Sequence, residues 1–219
     1  MMRLSRYGGN PNIGVFAAVS ESLSLVGSNA TPEFMKDLEE ALGVRAVPVT
    51  VSGTYVVGSL VAMNSRGAVV TGLIEDSEYE AISALLPCMR LSEPMNAAGN
   101  NILVNDSGAI VNPEFSEDTV KELEGFLGVE CVRSPIADCV TVGSVCRVTN
   151  KGCACHMDAS EEEMQLISDV LKVEPYKTTV NHGSRMVAPG LLANSKGALV
   201  GDTTTPIEMG KIEEGLALY

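Results

Sequence analysis

The sequence predicts an α/β fold of five like units, each three short strands and a helix, set about an axis as a five-bladed α/β propeller with pseudo-fivefold symmetry. Three recurrences predict it: turn glycines, amphipathic triplets, and hydroxyl residues placed where helices begin. Different residue types carry the three, yet their spacings agree. They therefore report one internal period.

The turn glycines lie in Asn64-Ser-Arg-Gly67, Asn105-Asp-Ser-Gly108, Asn150-Lys-Gly152 and Asn194-Ser-Lys-Gly197, at intervals of 41 to 45 residues. Apolar runs flank each one, as in Val61-Ala-Met63 and Ala68-Val-Val70, so each segment reads as a β-hairpin. Its loop calls for a residue at positive φ, which glycine adopts without a Cβ clash.

An amphipathic stretch follows each hairpin, with apolar residues at i, i+3 and i+7, the stripe of a helix buried on one side. The triplets are Met35-Leu38-Leu42, Tyr79-Ile82-Leu86, Val120-Leu123-Leu127, Met164-Ile167-Leu171 and Met209-Ile212-Leu216. Thr31, Ser116, Ser160 and Thr205 stand four residues before the first apolar position, where a hydroxyl accepts from the unpaired amides of a helix start. Ser160 with Glu163 and Thr205 with Glu208 match the capping box, and the second unit carries Glu75-Asp76 instead. Gly43 and Gly128 are placed to close two helices in the left-handed conformation.

Wrapping the count from Leu216 through Tyr219 to Leu42 makes a fifth interval of 45, so the five intervals use all 219 residues. The strand near Met2 to Arg6 is then expected to complete the unit whose hairpin and helix lie at the C-terminus. Residues 1–219 form a single five-repeat domain on this reading, closed so that no free edge separates first and last units.

Charge and composition bound the function. Fifteen basic residues against 28 acidic give a net charge of −13, which repels phosphate and leaves no broad surface for DNA or non-specific nucleic acid. Any RNA contact must be local. The N-terminus has no apolar core of a secretory signal, and six cysteines without one read as free thiols of a cytoplasmic protein. The uncharged stretch Ala46 to Ser65 is interrupted by Pro48, Gly53 and Gly58 and reads as buried sheet, so no membrane contact is expected.

Asn12-Ile-Gly-Val-Phe-Ala17, the Val57-Gly-Ser-Leu-Val-Ala-Met-Asn-Ser-Arg-Gly67 hairpin, Gly99-Asn100 with Asn105-Asp106, Val142-Gly-Ser-Val-Cys146 and Thr179-Val-Asn-His-Gly-Ser184 together resemble the archaeal translation initiation factor 6 family. The resemblance spans essentially the whole chain, and the segments follow the family's order. It implies the pentein fold and a ribosome anti-association factor. Such a factor docks on the face of the large ribosomal subunit that meets the small one, against a ribosomal protein near the sarcin-ricin loop. A monomer is expected, without metal and without a nucleotide cofactor, since the glycines are single and periodic and form no phosphate-binding loop.

The repeat offers two faces for docking. One carries the Asn-x-x-Gly turns, the other the loops entering each hairpin at Gly14-Val15, Gly58-Ser59, Gly99-Asn100, Gly143-Ser144 and Gly183-Ser184. The resemblance assigns the large-subunit contact to Ser59, Gly99 and Asn100, with Asn101 beside them. Ser59 stands where eukaryotic members carry an arginine, so no charge contact is carried over there. Asn100 and Asn101 also suit a purely structural role in a turn.

Two other chemistries are weighed. Pentein-fold hydrolases and transferases that act on amidines use a cysteine nucleophile near the C-terminal end, but Leu191 to Tyr219 contains no cysteine, and the only histidines are His156 and His182. A scaffold for a non-ribosomal protein is the other alternative. Cys146, Cys153 and Cys155 fall on one side of a hairpin if Val148 opposes Cys153, which suits buried thiols and would also suit a three-thiolate metal site lacking its fourth ligand. The acidic starts Glu117-Asp118 and Glu161-Glu-Glu163 read as solvated first turns favoured by the helix dipole.

Overall fold

The computed structural model describes residues 1–219. It contains five three-stranded sheets, each built as an antiparallel hairpin, a helix, and a strand returning parallel to the hairpin's second arm. In the first unit Ala17–Val19 pairs with Leu23–Gly27, the helix Pro32–Leu42 crosses over, and Arg45–Val49 returns with Arg45 opposite Leu23. The fifth unit takes its third strand from the other end of the chain: Met2–Ser5 lies parallel to Gly197–Gly201, with Met2 opposite Ala198. The N-terminal strand thus completes the C-terminal blade. Its missing chain connection is the only covalent break in the ring.

Helix boundaries follow from local chemistry. Thr31, Ser116, Ser160 and Thr205 each accept a hydrogen bond from the amide three residues on, so each occupies the N-cap that its spacing predicted. Gly43 at φ 60° and Gly128 at φ 65° end two helices, and Lys172 ends a third in the same left-handed conformation. Each core is shared across a unit boundary. Leu38 and Leu42 of the first helix pack with Leu192 and Leu199 of the fifth hairpin, and Ile167 and Leu171 with Leu103 and Ile110 of the third. Helices therefore wedge between successive sheets, which is why strands such as Ala68–Thr71 are buried along their whole length.

Several expectations need correction. The hairpin glycines Gly67, Gly108, Gly152 and Gly197 do not have positive φ. They are glycines because the backbone of another segment lies against them: a Cβ on Gly108 would stand 2.1 Å from the Val170 carbonyl oxygen, and one on Gly197 2.1 Å from that of Ala41. The second helix is short, Asp76–Ser83, so Leu86 falls beyond it and packs from the connecting turn. The first members of the triplets, Met35, Tyr79, Val120, Met164 and Met209, sit at the margin of the buried stripe rather than in it. The stretch Ala46 to Ser65 is only partly sheet: between the strands Arg45–Val49 and Val61–Met63 run an exposed turn and the helical turn Val57–Leu60. The entry loops are likewise single helical turns, and the fifth counterpart of Gly14, Gly58, Gly99 and Gly143 is Ala188 in Ala188–Gly190. Gly183-Ser184 belongs instead to a tight turn upstream, where Gly183 adopts φ 100°.

Candidate interaction site at the axial mouth

Five single turns of helix, Ile13–Val15, Val57–Leu60, Ala98–Asn101, Val142–Val145 and Ala188–Gly190, converge where the hairpins start. Their approach is set by glycine. A Cβ at Gly58 would lie 1.9 Å from the Gly14 carbonyl oxygen, at Gly99 2.0 Å from that of Gly58, and at Gly143 2.2 Å from that of Gly99. Gly14 meets the Ala188 carbonyl in the same way, so backbone touches backbone at four of the five junctions about the axis. The residue after each of these positions then lines the axial opening: Val15, Ser59, Asn100, Ser144 and Pro189.

This places two of the assigned residues together at one mouth. Ser59 and Asn100 are half-buried, their backbone amides bonded to Val56 and Ala97 carbonyls of the same turns, and their side chains are left to solvent or a partner. Gly99 contributes backbone, since its α-carbon is pressed against the Gly58 carbonyl. Asn101 is different. It is 3% exposed, its amide donates to the Met95 and Ala97 carbonyls, and its Oδ1 accepts from Asn112 Nδ2 at 2.7 Å. Its polar groups are spent inside the chain, which suits the structural role in a turn.

Val15 and Ser144, of entry loops that the repeat placed on this face, share the mouth with Pro189 and Arg147, which were not singled out from sequence. Arg147 had a signal: it is a lone charge inside the apolar run Val145-Cys-Arg-Val148. Neither the mouth nor the channel behind it is lined by a carboxylate. On a chain of net charge −13 this end of the axis is locally cationic.

The opposite end carries the hairpin turns and is tied by bonds between units. Asp106 accepts from the Ser65 amide and hydroxyl, both at 2.7 Å, and its own amide donates to Asn150 Oδ1. Burial alone would raise the Asp106 carboxyl, but the Ser65 and Asn150 donors and the Arg66 charge hold it below the ordinary carboxylate value. Ser195 bonds Glu21 in the matching place across the chain ends. These polar groups are committed to the ring.

The thiol cluster forms as the register required. Val148 opposes Cys153, and Cys146 meets Cys155 with sulfur atoms 3.3 Å apart. All three thiols are buried, and burial together with their mutual proximity holds them protonated: Cys146 is pushed well above the ordinary thiol value, chiefly by burial, and Cys155 up by Cys146 and burial. His156 is buried too, with Nδ1 accepting from the Asp158 amide. Protonated thiols bonded to one another are poor nucleophiles. The cluster reads as core.

Residues 2–215 match the eIF-6 family. The chain is 42% identical to the translation initiation factor 6 of Methanocorpusculum labreanum, with 94% of each chain covered. It is 39% identical to that of Methanosphaerula palustris over 98% of this chain and 97% of the relative. The relative from Archaeoglobus fulgidus is 39% identical over 95% and 96%.

Proposed function

Since the chain belongs to the eIF-6 family and is a translation initiation factor of that family, we propose that it docks on the large ribosomal subunit and keeps the small subunit from joining prematurely. The observation that carries this reading is the near full-length match to that family, and the geometry supports it. The axial mouth offers Ser59, Gly99 and Asn100 on a rigid rim, backed by glycine-to-carbonyl contacts at four of the five unit junctions. A rim so constrained has little conformational entropy to lose on docking. The contact is a ribosomal protein near the sarcin-ricin loop, and any RNA contact is local because the acidic body repels phosphate. No covalent chemistry is assigned to the site: the role is occupancy of a surface.

On this reading residues 1–219 act as one domain and as a monomer, without cofactor, in the cytoplasm. No helix is long and apolar enough to cross a membrane. Sedimentation with isolated large subunits, isolated small subunits and joined ribosomes tests the proposal. The factor should travel with free large subunits alone. Comigration with small subunits or joined ribosomes would refute it.

A further inference from the structure

The guanidinium of Arg147 reaches into the ring's axis, donating from Nε to the Leu191 carbonyl at 2.9 Å and from Nη2 to the Ala188 carbonyl at 3.1 Å. It crosses from the fourth unit to the fifth and lines both the channel and its mouth. A guanidinium carries five N–H donors, so three remain after these two bonds. None meets a carboxylate: Arg147 takes part in no ion pair, and the channel walls are Gly58, Gly99, Gly143, Val61, Ile102 and Val148 with other small or apolar residues. The one titratable neighbour felt by Arg147 is Cys153, itself held protonated.

Arg147 is half-buried, so it keeps only part of its hydration while the walls return two carbonyl dipoles, and its charge is costly unless something offsets it. Burial accordingly lowers the Arg147 pKa to about 10, which still leaves the charge in place at neutral pH. The open space amounts to about 40 Å³ in the channel and about 10 Å³ at the mouth. That suits an ion of halide size with a few waters, and is too little for a nucleotide or a sugar.

We propose that the axial channel is a binding site for a small inorganic monovalent anion of the halide class, held by the unpaired N–H groups of Arg147. The ion neutralises the half-buried guanidinium and sits directly behind the rim formed by Ser59 and Asn100. Arg147 and the channel form the site whichever partner docks at the rim.

Two measurements decide it. In chloride solution the 35Cl resonance should be broadened by the wild-type protein, with the excess lost in Arg147→Leu and competed away by bromide. Equal broadening by a folded Arg147→Leu variant would overturn the proposal, since other surface cations would then account for it. Crystals of the wild-type protein grown in bromide give a readout that needs no variant: an anomalous peak on the axis within hydrogen-bonding distance of the Arg147 guanidinium is expected. An axis without such a peak would likewise overturn it.

Discussion

The side-chain amide of Asn105 donates to the carbonyl of Leu171, 2.8 Å away and in the next unit, at the last residue of that unit's helix. Asn64 reaches the Leu127 carbonyl in the same way, and Asn194 that of Leu42. These three helices are the ones that end in the left-handed conformation, at Lys172, Gly128 and Gly43. Where the donor position is Ser20 or Thr149 instead, the helix of the following unit ends otherwise, at Ala84 with right-handed geometry or at Leu216 with φ −94°. The amide satisfies a helix carbonyl that lacks an intrahelical partner, so the turn of one unit fixes the end of its neighbour's helix.

Asn105→Ala should therefore destabilise the ring more than an ordinary turn substitution. It strips donors from two buried carbonyls, those of Thr149 and Leu171, and the acceptor for the Ser107 and Gly108 amides. The expected loss is about 2–3 kcal/mol, or about 4–12 °C in Tm, read by calorimetry. An unchanged Tm would show that the inter-unit bond contributes nothing.

Two glycine-to-alanine substitutions should act with opposite sign. Gly108→Ala puts a methyl 2.1 Å from the Val170 carbonyl oxygen and should cost more than about 3 kcal/mol. Gly125→Ala lies inside the helix Glu117–Leu127 with nothing within 4 Å, and should stabilise by about 1 kcal/mol. Denaturant midpoints of the two proteins check this, and a shared sign would contradict the close-approach argument.

Glu208 makes stability depend on acid. Burial by itself would raise its pKa, but donors from Thr205, Thr179 and Gly183 outweigh that and lower it from 4.5 to about 2. A pKa depressed in the folded state contributes stability that is whole above the unfolded value and is lost as pH falls from about 5 to about 2. The loss attributable to this group is at most about 3 kcal/mol. Glu208→Gln should be less stable than wild type at pH 7, with the gap closing towards pH 2; a gap that stays constant between those values would count against the assignment.

Asn100→Ala and Asn101→Ala should separate docking from folding. The first removes a half-exposed side chain at the axial mouth, so Tm should move by no more than about 1–2 °C while cosedimentation with large subunits weakens. The second breaks buried bonds to Met95, Ala97 and Asn112 and should lower Tm clearly. Normal binding by the Asn100 variant would move the contact away from this mouth.

Thiol reactivity should follow burial. Cys139 is half-buried and should react first with an aromatic disulfide reagent at pH 8. Cys88 is also half-buried, but burial lifts its thiol to about 11, so it should follow slowly. Cys131, Cys146, Cys153 and Cys155 should react only on unfolding. Mass spectra showing all six modified at once in the native protein would contradict the packing described.

Sequence alone determined the period, the hairpins, four of the five helix starts and the closing of the ring by Met2–Ser5. All of these rest on short-range chemistry: a hydroxyl bonds an amide three residues away, and an apolar stripe needs only its own helix to be visible. Tertiary structure decided what those residues face across unit boundaries. It showed Gly108 to be glycine for the sake of the Val170 carbonyl rather than a positive φ, and it sent Asn100 to the mouth and its neighbour Asn101 into the interior. It also brought Arg147 onto the axis against carbonyls 41 and 44 residues further along the chain. A repeat announces its own period, but the meeting of one unit with the next is fixed by atoms distant in sequence, and no local pattern encodes their distance.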